Sequence, residues 1–328
     1  MREEISVNHL AWEILKKLHE KPSLYGVAVN ETTDGTTIVD AGINAPGGYE
    51  AGRILTEICM GGCAEVKLSV RNYGGLELPS ITVFSDHPTI STLGSQYAGW
   101  QINEEGYFAV GSGPGRALAL KPKKIYEEIK YKDSFDKAVI VLETDKYPPA
   151  KLIERLAKDC NILPENLTLI LTRTASISGL TQVSGRIVET GIHKLRRLGM
   201  DPNAILHAWG CAPIPPVHPN FAEAMARAND AILYGGTACY VVKHDNEATL
   251  MEIAGKASST TSKIYGRPFI EIFKEVGCDF YKIDPDLFAP AVIIINNVKT
   301  GNTIRCGKIN AWALAESFGF KDGQSATP

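Results

Sequence analysis

The sequence is short of the features that direct a chain to a membrane, to nucleic acid or out of the cell. Its longest apolar runs, such as PAVIIINN at 290–297, are strand-sized, well below the roughly 20 apolar residues that span a bilayer. No charge sign dominates: 34 Lys and Arg stand against 37 Asp and Glu, a net charge of −3. Neither nucleic acid nor an anionic membrane is therefore expected as the main partner. The opening MREEISVNHLAWEILKKLHEK has charges on both sides of a helical pattern and no apolar signal core, so the cytoplasm is the expected compartment. Cysteine is sparse, with seven residues scattered at 59, 63, 160, 211, 239, 278 and 306; an odd, dispersed set argues against a disulfide framework and for a reducing compartment. Cys59 and Cys63 have a spacing that one helix face could present to a metal. No second Cys/His pair with zinc spacing accompanies them, so they are read as small buried hydrophobes and no metal is expected.

What is present is ordinary globular material: 328 residues, 44% hydrophobic, enough for two ordinary domains or one large one. Val7, Leu10, Ala11, Ile14, Leu15 and Leu18 follow the rhythm of a helix, with Ser6 as its cap and Pro22 as its stop. Strand-like runs follow at LYGVAVN, TTIVDAGI, AEVKLSV and SITVFS, with a helix expected from about Tyr49 to Met60. KAVIVLET and NLTLILTR read as strands around a proline-opened helix, PPAKLIERLAKDC. A helix from about Gln182 to Leu198 ends at Gly199, and further helices are expected at PNFAEAMARAND and PFIEIFKEVG. AVIIINNVKTGNTIRCGK reads as two strands around a polar turn. Alternating strands and helices mixed with hairpins point to a layered α/β architecture with mixed sheets. AGRILTEI at 51–58 is echoed by SGRIVETG at 184–191, an offset of 133 residues that hints at two related halves. The simplest division is into subdomains 1–150 and 151–328, with interlaced halves as the alternative.

Chemistry gathers in three stretches. GSGPGRALALKPKK (111–124) sets Gly111, Gly113 and Gly115 beside two anion donors, Ser112 and Arg116. It fits neither the Walker nor the dinucleotide-binding spacing, and a phosphate cradle and a tight structural turn are equally good readings of it. SDHPTISTLGSQYAGWQI (85–102) is rich in small polar residues and suits a heterocycle with many donors and acceptors. LTRTASISGLTQVSGRIVETGIHKL (171–195) carries Arg186 and Glu189 three apart. On a helical wheel Val188, Ile192, Leu195 and Leu198 form the buried stripe. Arg186, Glu189 and His193 fall opposite it, which by itself favours an exposed ion pair of little energetic weight.

Four stretches taken together, DHPTISTLGSQYAGWQI, GSGPGRALALKPKKIYEEI, TASISGLTQVSGRIVETGIHKL and FYKIDPDLFAPA, resemble the methenyltetrahydromethanopterin cyclohydrolases. The likeness keeps one order from IVDAGINAPGGYEAG to GKINA and covers most of the chain. The resemblance implies reversible hydrolysis of the cyclic 5,10-methenyl cation of tetrahydromethanopterin to the 5-formyl compound. It also implies two α/β subdomains with a cleft between them, a homotrimer, and no metal or redox cofactor. The family's glutamate and arginine fall on Glu189 and Arg186, with the carboxylate as the base and the arginine holding it ionised, while burial by the bound pterin raises its pKa. The glycine-rich loop is assigned to the carrier's phosphate-bearing tail through Ser112, Gly113 and Arg116. Ser95, Gln96 and Tyr97 are assigned to the pterin, and Cys211-Ala212-Pro213 is read as a cleft wall or a rigid turn. Two departures from the family pattern are Arg173 before Thr174 and Gly115 where alanine is usual. A phosphate-handling transferase and a non-catalytic pterin-binding protein are the alternatives; the first lacks a clear magnesium-binding cluster of acids.

Overall fold

The computed structural model describes residues 5–104, 106–279 and 282–321; Phe280 and Tyr281 of the stretch FYKIDPDLFAPA lie outside the described residues. Ser6 caps α1 (Val7–Glu20), its side chain accepting from the His9 amide at 3.2 Å. Pro22 stops α1 but also opens a single helical turn, α2 (Pro22–Tyr25), because proline suits the first helical position. The strand expected over LYGVAVN consequently shrinks to β1 (Ala28–Glu31). It pairs with β2 (Thr37–Asp40), and α3 (Tyr49–Cys59) follows.

The chain then crosses to a second sheet with the hairpin β3 (Glu65–Tyr73) and β4 (Leu76–Ser85). After α4 (Pro88–Ser91) and a π-helical turn at Thr92–Gln96 it returns to the first sheet. There it builds β5 (Trp100–Glu104), β6 (Tyr107–Ser112), α5 (Gly115–Ala119), α6 (Lys123–Ile129), β7 (Ala138–Glu143), α7 (Ala150–Asp159) and β8 (Leu167–Thr172). Helices α8 (Ile177–Ser184) and α9 (Ile187–Arg197) lead back to the second sheet. That sheet is completed by β9 (Ile205–Pro213), α10 (Phe221–Gly235), β10 (Thr237–Val242), α11 (Glu247–Gly255), α12 (Phe269–Glu275), β11 (Val292–Asn297), β12 (Thr303–Gly307) and α13 (Ala311–Phe318).

Both sheets are six-stranded and mixed, in the orders β1-β2-β8-β7-β6-β5 and β12-β11-β10-β9-β4-β3. The layered α/β reading of the sequence holds. Neither sheet respects a division near residue 150, since β3 and β4 lie in the second sheet and β8 in the first. Among the described residues no helix is long and apolar enough to cross a membrane.

Each sheet is buried by a distinct set of apolar faces. Val139, Val141, Ile170 and Val39 pack with Leu15, Ile54 and Ile58 of α1 and α3, while Ile140, Leu142, Leu169 and Leu171 meet α7 through Leu152 and Leu156. In the second sheet Val83, Ala208, Tyr240 and Ile293 receive Val188, Ile192 and Leu195 of α9. Each such aliphatic side chain contributes about 1.5–3 kcal/mol by leaving water.

The single helix expected over 182–198 is two helices. Gly185 closes α8 by donating its amide to the Thr181 carbonyl at 3.0 Å. A Cβ at Gly185 would lie 2.5 Å from Thr56 Cγ2, and one at Gly52 would lie 2.4 Å from Thr181 Cβ. Both glycines thus sit in the α3–α8 contact, and Gly185 of one echoed segment meets Thr56 of the other. In α3 the echoed arginine, Arg53, turns outward to Glu50 at 2.8 Å and Glu57 at 2.7 Å. Its counterpart Arg186, placed at the break between α8 and α9, turns inward.

Candidate active site

The centre of the site is the π-helical turn Thr92–Gln96, a winding that recurs at functional positions. Its amide-to-carbonyl bond closes from Tyr97 to Thr92 at 2.8 Å, and the carbonyls between are taken by groups from elsewhere in the chain. Arg116 Nη1 donates to Leu93 O at 3.3 Å and Ser95 O at 2.9 Å, and the Gly113 amide donates to Ser95 O at 3.0 Å. Tyr126 Oη donates to Gly94 O at 2.9 Å, and Arg186 Nη1 to Gln96 O at 2.7 Å.

Arg186 ties the two sheets together. It precedes α9, which packs on the second sheet, and its Nη2 donates to Ser112 Oγ at the end of β6 in the first sheet at 3.1 Å. The same nitrogen donates to Gln182 Oε1 at 3.3 Å, one turn back along α8. Gln96 Nε2 donates to Gly185 O at 3.2 Å, leaving Gln96 Oε1 and Gln182 Nε2 buried without a partner. Two side-chain amides with an open acceptor and an open donor are what a ligand with mixed polar edges requires.

Glu189 lies in the first turn of α9 and is 7% exposed, beside Arg186 at 8%. The exposed face read from the wheel is therefore wrong, because α9 is covered by the second sheet on one side and by the π turn on the other. Nor is there a direct ion pair: among the described residues the Glu189 carboxylate has no hydrogen bond and no cation within 4 Å. Burial pushes its pKa above the ordinary carboxylate value, and the charges of Arg186 and Arg116 pull it only partly back. The protein itself supplies the desolvation that the sequence reading left to a bound pterin.

One turn along α9 from Glu189, at His193, the rings are layered. Tyr97 stacks on His193 with centroids 5.4 Å apart, and the Arg116 guanidinium lies 5.3 Å from the Tyr97 ring and 5.6 Å from that of Tyr126. Burial, followed by Arg196 and Arg197, lowers the His193 pKa to about 4, so its ring is neutral over the physiological range.

Two assignments made from the sequence fall on groups that already have partners within the chain. The loop of Ser112, Gly113 and Arg116 is not an exposed phosphate cradle, for it is buried from Gly111 to Ala117. The Gly113 amide is committed to Ser95, and Arg116, 0% exposed, donates from Nε to Lys121 O at 2.8 Å and from Nη1 to the two π-turn carbonyls, leaving Nη2 without a partner. The Ser95 hydroxyl likewise has a partner within the chain, donating to Cys59 O at 2.6 Å. Gln96 and Tyr97 do stand at the cluster. Gln182 was within the quoted stretch but not singled out; its signal was the spacing of four before Arg186. Tyr240 carried no local signal. It donates to Val188 O at 2.9 Å, one residue before Glu189, and a Cβ at Gly191 would lie 1.9 Å from its oxygen.

A family model described as Cyclohydrolase (MCH) matches residues 6–318. Proteins named methenyltetrahydromethanopterin cyclohydrolase are similar over nearly their whole length. The Methanospirillum hungatei protein is 46% identical over 316 residues, covering 96% of this chain and 99% of that one. The Methanococcoides burtonii protein is 43% identical over 318 residues, covering 97% and 99%. The Methylobacillus flagellatus protein is 45% identical over 315 residues, covering 96% of each. With the match running through both sheets and through every element that positions Arg186 and Glu189, the chain belongs to the methenyltetrahydromethanopterin cyclohydrolase family.

Proposed function

We propose that the chain opens the 5,10-methenyl cation of tetrahydromethanopterin with water to give 5-formyltetrahydromethanopterin, reversibly, with Glu189 as the acid–base group. The observation that carries this is a buried carboxylate with no partner of its own, under the charges of two buried guanidiniums, in a chain of this family. The substrate carbon lies in an N–C–N cation and is already electrophilic, so the reaction needs neither a metal nor a redox cofactor.

Water attacks that carbon while Glu189 takes one of its protons, giving a neutral hydroxyl adduct. Glu189 then returns that proton to the departing nitrogen N10 as the C–N10 bond breaks. The adduct's hydroxyl loses its own proton as the C=O bond forms, so one proton leaves overall. Such acid–base help contributes about 10²- to 10⁴-fold. Arg186 holds the geometry of Gln96, Ser112 and Gln182 and presents positive charge to the oxygen that becomes the formyl group. A carboxylate whose pKa is raised by burial suits both directions, since it accepts a proton from water and gives one back.

The test is a near-ultraviolet absorbance trace with methenyltetrahydromethanopterin, because the methenyl chromophore disappears on hydrolysis. Rapid bleaching by the wild type supports the reading, and an unchanged trace sinks it. The methenyl form of tetrahydrofolate in parallel reports on the carrier. A cytoplasmic homotrimer is part of the same proposal, and it rests on the family resemblance; light scattering on the purified chain tests the trimer.

A further inference from the structure

Hydrolysis of a cation to a neutral product releases one proton per turnover, and Glu189, the group that handles it, is buried. A buried carboxyl group that has taken a proton must pass it on before it can serve again. Arg186 and Arg116 act on the Glu189 charge, and that charge acts on Tyr240. None of the three leads outward. Both guanidiniums are buried and stay protonated at any working pH. The Tyr240 hydroxyl is buried and committed to Val188 O at 2.9 Å, and burial raises its pKa well above the ordinary phenol value.

His193 is placed differently. It stands four residues after Glu189 on α9, and such a pair shares one helix face with Cβ atoms about 5–6 Å apart. Its ring is held by Tyr97 at the end of the π turn, the two planes 17° from parallel. Among the described residues its nitrogens make no hydrogen bond, and the residue keeps part of its surface in solvent. The charges around it favour onward release. Arg196 and Arg197 of the same helix disfavour an imidazolium. Arg196 is held by Glu128 of α6 at 2.7 Å, and Arg197 lies 3.7 Å from Asp286. Burial and these cations keep the resting ring neutral, so a basic nitrogen is available whenever Glu189 carries a proton.

We propose that His193 is the relay through which the proton released in hydrolysis leaves Glu189 for solvent, and through which a proton returns in the reverse reaction. The assignment rests on the functional reading above and deepens it by naming the exit route. Once Glu189 has protonated N10 it is again a carboxylate, and it takes the adduct's hydroxyl proton as the C=O bond forms. A nitrogen of neutral His193 accepts that proton from the carboxyl group, and the imidazolium gives one up to water or buffer. Carboxylate and neutral imidazole are restored, and one proton has left. In this role His193 acts through Glu189 and not on the substrate.

The experiment is steady-state bleaching of methenyltetrahydromethanopterin by wild type, His193→Ala and His193→Gln, over a series of imidazole concentrations at fixed pH and ionic strength. Thermal melts accompany it. With little imidazole present both variants lose about 10²-fold in kcat, while KM changes little. Added imidazole restores kcat toward a plateau, most fully in His193→Ala, where the missing ring leaves room for it, and the wild type does not respond. An undiminished kcat in a folded variant overturns the assignment, because the proton then leaves another way. A loss that imidazole does not repair in His193→Ala also overturns it, and reduces His193 to a stacking partner of Tyr97. Should His193→Ala fail to fold, His193→Gln decides by the same two readings. A wild type that does not bleach the substrate instead overturns the functional reading itself.

Discussion

At the scale of single residues, the site is a competition between burial and charge at Glu189. Burial wins, and the two arginines set by how much. In the proposed role Glu189 takes water's proton in its ionised form, so the hydrolytic rate is expected to fall as pH drops through a pKa lying above the ordinary carboxylate value. Arg116 is fully enclosed with one nitrogen, Nη2, left without a partner. Arg116→Met removes a charge that favours ionised Glu189, so the acid limb of the rate profile moves to higher pH. It also takes the donor from the buried Leu93 carbonyl and one of two donors from Ser95 O, at about 1–3 kcal/mol for a buried group left unsatisfied. A pH–rate profile and a urea titration of one preparation check both effects, and an unmoved acid limb contradicts the first. Arg186→Lys keeps a charge but cannot span Gln96, Ser112 and Gln182 together. The expected loss is about 10²-fold in kcat, read from steady-state rates, with a lowered melt because buried partners of Arg186 lose a donor.

At the scale of elements, the break between α8 and α9 decides whether Arg186 faces solvent or the site. Periodicity located the helical stretch but ran it through Gly185, where the constraint is tertiary: Thr56 of α3 occupies the space a side chain would need. The same physics hid the burial of Glu189. A wheel drawn for one helix sees one partner, whereas α9 has the second sheet on one side and the π turn on the other. Hairpins, proline-opened α7 and the Ser6 cap were legible because their determinants are local. The π turn was not, since its carbonyls are satisfied by Arg116, Tyr126 and Arg186 from distant positions. Gly191→Ala is a direct probe of this layer. The new methyl displaces Tyr240 from the Val188 carbonyl, with an expected cost of about 1–3 kcal/mol. Thermal unfolding measures it, and an unchanged melting temperature rules out the close contact.

At the scale of the whole molecule, a buried carboxyl group ties together elements that flank the second sheet. Asp230 of α10 accepts from the Phe269 amide at 3.1 Å at the start of α12 and from Ser317 Oγ of α13 at 2.6 Å. Burial raises its pKa to about 7 from the ordinary 3.8. The folded state therefore holds this proton more tightly than the unfolded chain. Its stabilising contribution is complete below the ordinary value and is lost as pH rises through about 7. Asp230→Asn, which keeps an acceptor for both donors, is expected to flatten the decline of stability between pH 5 and pH 8, read as denaturation midpoints at both. An identical slope in the variant places the effect elsewhere.

The interlaced path of the chain has the same lesson for function as for fold. The first sheet supplies Ser112, while the segment joining it to the second sheet supplies Arg186 and Glu189, so neither half is sufficient alone. The central claim is that Glu189 moves the protons. Its most direct test is a single-turnover absorbance trace with methenyltetrahydromethanopterin for wild type and Glu189→Gln, with product affinity measured on both. The account predicts a variant that binds the product but loses at least about 10²-fold in the bleaching rate, together with the acid limb of the pH profile. A variant that bleaches the chromophore at the wild-type rate would show that another group moves the protons.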